Sequence, residues 1–166
     1  VVLLKQIESA VKNGGNAQIP LPNEPNSAAI STDGNTVVVY FGGQQKSVMI
    51  YRNVVNDENN GLTTQTIPVT LKGEVRLAVS PNGECFCLAT ESDKQFWRLR
   101  DEQYKQLNLK KKGTTVKASG PLKKVFFAAG GKRFYAISDD EHATVEIYSV
   151  DSEESEILLT ERLTGG

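Results

Sequence analysis

Three polar turns set between apolar runs recur at nearly even spacing, and no other feature restricts the fold of this chain as much. The first unit reads Ala28-Ala29-Ile30-Ser31-Thr32-Asp33-Gly34 followed by Thr36-Val37-Val38-Val39-Tyr40. The second reads Leu77-Ala78-Val79-Ser80-Pro81-Asn82-Gly83 followed by Cys85-Phe86-Cys87-Leu88, and the third Val125-Phe126-Phe127-Ala128-Ala129-Gly130-Gly131 followed by Phe134-Tyr135-Ala136-Ile137. The turn glycines 34, 83 and 131 are 49 and 48 residues apart. Asp-Gly, Asn-Gly and Gly-Gly accept the positive φ that a tight link between twisted antiparallel strands requires.

Each unit continues into a third apolar segment that ends in an aromatic: Val48 to Tyr51, Gln95 to Trp97 and Val145 to Tyr148. A more polar fourth segment follows near 62–71, 103–109 and 156–163, as an outer strand with one solvated face should. Ile19-Pro20-Leu21 lies 48 residues before Ile67-Pro68-Val69 and takes the outer-strand position of an earlier unit, with Val1 to Leu4 at its third strand. Proline is tolerated on such an edge.

Four short antiparallel strands repeating at about 48 residues predict an all-β fold, the four-stranded blades of a β-propeller, about three and a half of them. The scheme divides one propeller domain into a half blade over 1–26 and blades over 27–72, 73–118 and 119–166. The alternative is a β-sandwich whose turns coincide. Three and a half blades leave two open edges, so further blades are expected from more chain or from a second subunit.

At this point the residues resemble the WD40 superfamily. Ser80-Pro81-Asn82-Gly83 is similar to its Ser-Pro-Asp-Gly turn, and Tyr51, Trp97 and Tyr148 stand where its Trp-Asp dipeptide places Trp. The chain departs from that pattern. It has no Gly-His dipeptide, and Arg52, Arg98 and Ser149 follow the aromatics where Asp is the rule. The hydrogen-bonded network of the family is therefore not expected, and blades must hold by apolar packing.

Charge is balanced, 19 Lys and Arg against 20 Asp and Glu, which argues against a whole-molecule grip on nucleic acid but not against a local patch. Cys85 and Cys87 share one face of a strand and are splayed too far apart to bridge. With no leader, glycosylation sequon or long apolar stretch, an intracellular protein, cytoplasmic or nuclear and not membrane-bound, is expected. The chain starts at Val1 on an apolar run, which reads as a piece of something longer.

Catalytic constellations are sparse. Asp139-Asp140-Glu141-His142 is the densest candidate, and a solvated loop is the preferred account of it. One histidine leaves a zinc site short of ligands, and the glycine pairs precede no helix that could cradle phosphate. No cofactor, no metal and no catalytic residue is expected.

The candidate binding residues are basic. Lys110, Lys111, Lys112, Lys117, Lys123 and Lys124 fall within fifteen positions on a connection about eight residues longer than its counterpart. Lys105, Arg98 and Arg100 extend the patch, and Tyr104 is placed to stack a base. The acidic run from Asp151 to Glu156 balances it elsewhere, suggesting an oriented partner. The expected function is a non-catalytic scaffold, a propeller subunit of a multi-protein complex. One alternative is an RNA-associated non-catalytic subunit like the WD-repeat partner of the tRNA guanine-7 methyltransferase. Partners would then be protein subunits and RNA or an acidic protein surface. A further alternative is a propeller hydrolase.

Overall fold

A computed structural model describes residues 21–54, 61–111, 120–139, 143–151 and 154–162. The expected half blade, with Val1 to Leu4 and Ile19-Pro20, falls almost wholly outside them. The chain is all-β, built of antiparallel sheets that form consecutive blades of a partial propeller ring. Blade one comprises β1 (Ser27–Ile30), β2 (Thr36–Phe41), β3 (Ser47–Arg52) and β4 (Thr63–Pro68), paired in chain order. Blade two comprises β5 (Arg76–Val79), β6 (Cys85–Ala89), β7 (Lys94–Arg100) and β8 (Gln103–Gln106).

The third sheet has five strands rather than four. β10 (Leu122–Ala128), β11 (Arg133–Ser138), β12 (Thr144–Asp151) and β13 (Glu154–Arg162) make the expected meander. β9 (Asn108–Lys111) then pairs in parallel with β13, Asn108 opposite Glu154 and Lys111 opposite Ile157. The segment expected near 103–109 as one outer strand therefore divides. Leu107 still donates to the Phe96 carbonyl at 2.8 Å, after which the chain leaves blade two and joins the outer edge of blade three.

The two serine turns use the same hydrogen bonds. Ser31 Oγ accepts from Thr36 N at 2.9 Å and bonds Asp33 Oδ1 at 2.5 Å; Ser80 Oγ accepts from Cys85 N at 2.9 Å and bonds Asn82 Oδ1 at 3.0 Å. The serine hydroxyl thus satisfies the first amide of the second strand, while Gly34 and Gly83 take φ of 74° and 71°.

The inner strands β1, β5 and β10 pack side by side, with β5 between the other two. They all begin at one rim of the ring, here called upper; the glycine turns lie at the lower rim. Strand alternation then divides the core into layers between blades. On β6, Phe86 and Leu88 face blade one, packing with Val38, Tyr40, Val48 and Ile50. Cys85, Cys87 and Ala89 face blade three, packing with Phe134, Ala136 and Tyr148. Phe96 meets Phe134 edge to face at 5.1 Å between centroids, a geometry that favours aromatic pairs beyond area burial alone. No helix among the described residues is long and apolar enough to cross a membrane.

Candidate functional site

The basic residues singled out in the sequence that lie among the described residues are spread over four strands, β7, β8, β9 and β10. Arg98 lies on β7 between blades two and three, where Nη1 donates to the Val150 carbonyl at 3.5 Å and Nη2 stands 3.9 Å from Glu84. Arg100 ends β7 at the lower rim opposite Gln103. Lys105, on β8, pairs with Asp101 at 3.7 Å. Lys110 and Lys111 belong to β9, and the register sets Lys110 opposite Glu156. The basic and acidic runs, expected to lie apart and orient a partner, meet on adjacent strands. Lysines on an outer strand also blunt an open sheet edge, which needs no ligand to explain it. Lys112 and Lys117 lie outside the described residues.

Tyr104 cannot stack a base. Its ring is 3 % exposed and packs 5.2 Å from Phe86, while its hydroxyl donates to the Gly83 carbonyl. Burial pushes the phenol up to about 12, against the opposing pull of Arg52. Both cysteines are free and buried. Burial lifts the Cys85 thiol to about 12 and the Cys87 thiol well above its ordinary value, so neither is a ready nucleophile.

Lys123 and Lys124 differ from the rest. They occupy the second and third positions of β10, at the upper rim beside the ring axis. Lys123 reaches Asp139 at a loose 3.5 Å, with both side chains more than half exposed, and Lys124 holds its ammonium 5.2 Å from the Phe126 ring centroid. Of the Asp139 to His142 run, only Asp139 is among the described residues.

On the neighbouring inner strand, Arg76 opens β5 and stands 3.7 Å from Glu74, whose side chain is 82 % exposed. The upper rim thus carries two separate exposed pairs, Glu74 with Arg76 on blade two and Asp139 with Lys123 on blade three, while Lys124, opposite Ile137 and over Phe126, lies on the sheet face turned away from blade two. Sequence reasoning passed over Glu74 and Arg76. The signal available was their position at the start of an inner strand, which the repeat itself defines. No cluster of three or more His, Cys, Asp or Glu that could hold a metal occurs among the described residues.

Beneath this rim runs a buried polar contact. Lys94 Nζ lies 2.8 Å from Glu146 Oε2, with the side chains 4 % and 10 % exposed. Tyr148 donates its hydroxyl to the same oxygen at 3.0 Å, and Lys94 also donates to the Glu91 carbonyl at 3.2 Å. These groups are closed to a substrate and join blade two to blade three.

No family model matches the sequence, and no curated protein matches it either. Solved structures do. A candidate 6-phosphogluconolactonase from Bacteroides uniformis overlays 81 % of this chain and 40 % of its own, with a TM-score of 0.54 at 17 % identity. A second, from Bacteroides fragilis, overlays 86 % of this chain and 42 % of its own, with a TM-score of 0.53 at 17 % identity. The chain therefore spans about two-fifths of the length of these structures. At this identity the likeness establishes the propeller-type fold; a WD40 family is not identified. It also corrects the expectation of a non-catalytic scaffold that is not an enzyme. The two propellers just described are themselves candidate enzymes.

Proposed function

We propose that this chain is part of a propeller hydrolase that opens a sugar lactone, with its reactive groups on the upper rim of the ring. One observation carries the reading: the two solved propellers described above that it overlays are candidate 6-phosphogluconolactonases. The chemistry of the rim supports it. Lactone opening adds water to the carbonyl carbon and breaks the ring C–O bond. The ring oxygen takes up a proton as a hydroxyl, and the new carboxyl group loses its own proton to solvent. Such a reaction needs a base for the attacking water and a cation for the charge that builds on the carbonyl oxygen.

Glu74 and Arg76 supply that pair within 3.7 Å of each other. In this reading Glu74 takes the proton from water, and Arg76 stabilises the developing oxyanion with its fixed, permanently charged fork.

The test is turnover of 6-phosphogluconolactone by the purified protein, followed as proton release and corrected for spontaneous opening. The reading predicts saturable turnover above that background, reduced about 10²-fold or more in Glu74→Gln. A rate equal to spontaneous opening at all protein concentrations overturns it.

A further inference from the structure

We infer that two copies of this chain close a ring head to tail, blade three of each against the open inner part of blade one in the other. The inference is independent of the hydrolase reading.

Blade three presents an apolar face away from blade two. Register and alternation put Phe126, Tyr135, Ile137, Val145 and Ile147 on it, and all five are partly exposed. The alternate residues Phe134, Ala136 and Tyr148 are buried against blade two. The repeat shows what covers such a face elsewhere. At the same distances from the turn glycine, Tyr135, Ile137, Val145 and Ile147 match Val38, Tyr40, Val48 and Ile50 of blade one. Those four are at most 5 % exposed and pack with Phe86 and Leu88 of blade two. On blade three, Phe126 and Tyr135 stack ring on ring at 5.1 Å, and no further sheet follows among the described residues.

The other end of the row is open along its inner strand. Ala28 and Ile30, paired with Val39 and Val37, stand on the face of β1 turned away from blade two. Both are exposed, Ile30 by 60 %, while Val39, Phe41 and Tyr51 on the same face of the blade are buried. Each copy thus offers one following face and one preceding face, the two kinds that meet at both interfaces inside the chain. Length points to a second copy as the occupant. The aligned 81 % of this chain spans 40 % of the first candidate 6-phosphogluconolactonase, and 86 % spans 42 % of the second. The whole chain is thus about half of such a propeller, and two copies supply a full one. A head-to-tail contact either closes or runs on as a filament, and closure leaves no blade face open.

Sedimentation equilibrium tests this with the parent, Ile30→Asp and Ile137→Lys/Ile147→Lys. The parent, 18.2 kDa per chain, is expected to form a dimer. Each variant would bury an unpaired charge in the contact and is expected to weaken the dimer at least about 10-fold. Both should melt within a few degrees of the parent, because the changed positions are exposed or partly exposed. Mixed, the two variants are expected to associate more tightly than either alone, since one of the two contacts is then intact. A parent that stays monomeric throughout the micromolar range overturns the inference and leaves the faces to other blades. A dimer that survives Ile30→Asp means contact through like faces and also overturns it, as do filaments, or a mixture no tighter than its components. Should the blade-three variant fail to fold, Ile30→Asp still decides.

Discussion

Lys94 on blade two meets Glu146 on blade three at 2.8 Å, inside the apolar layer that joins the blades. The pair is satisfied by more than mutual attraction, since Tyr148 donates to the carboxylate and the Glu91 carbonyl accepts from the ammonium. Desolvating two charges offsets most of what their contact returns, so the pair fixes how the blades seat more than it adds stability. Removing one partner strands the other. Lys94→Met is therefore expected to cost about 3–5 kcal/mol in urea unfolding, and Lys94→Met/Glu146→Leu much less than the two single changes together. Additive single effects would remove this account of the interface.

At the lower rim, the close approach of blades one and two depends on Gly83. A Cβ placed there would stand 2.2 Å from Thr36 Oγ1, and the backbone φ is +71°. Gly83→Ala should lower stability by at least about 2 kcal/mol, combining left-handed backbone strain with overpacking. Thermal melting of the variant measures it, and a change below about 0.5 kcal/mol would mean the turn yields freely.

The outer strands of the same two blades are joined by one amide. Gln65 accepts from Tyr104 N at 2.7 Å and donates to Tyr104 O at 3.1 Å, so its side chain acts as a short extra strand. Gln65→Leu leaves both backbone groups without that partner and should cost about 1–3 kcal/mol. Hydrogen exchange at the Tyr104 amide is expected to rise with it; unchanged protection would show that water replaces the clamp at no cost.

Alkaline pH should loosen the molecule. Burial raises Cys85 from 9.0 to about 12 and Tyr104 from 10.0 to about 12, and holds Cys87 and Tyr148 well above their ordinary values. Groups raised in the folded state hold their protons where the unfolded chain has lost them. Their contribution is complete below about pH 9 and is lost as pH climbs toward about 12. Urea midpoints should therefore fall steadily from pH 9 to pH 11, and both thiols should react with a disulfide reagent only as fast as the chain opens. A flat midpoint over that range would contradict the burial of these groups.

The parts legible in the sequence were local. Ser31-x-Asp33-Gly34 and Ser80-x-Asn82-Gly83 each carry a complete turn within a few residues, and period-two alternation on β6 divides Phe86 and Leu88 from Cys85 and Cys87. What was not legible depends on partners far along the chain. Lysine is a poor strand former, yet Lys110 and Lys111 form β9 because the edge of β13 accepts them, and nothing near residue 110 announces that. Nothing in the sequence beside Lys94 or Glu146 marks the pair that two blades bury between them. The resemblance to the WD40 pattern gave the architecture but not its polar network. Trp97, at the expected aromatic position, buries its indole N–H with no partner among the described residues.

The most direct measurement compares kcat for 6-phosphogluconolactone in Glu74→Gln on the upper rim and Asp101→Asn on the lower rim, each against the parent. Both side chains are strongly exposed, so neither change should disturb folding. Placing the chemistry at the upper rim predicts a loss of about 10²-fold or more in the first and parent activity in the second. Equal activity in all three proteins, or no turnover in any, would contradict it.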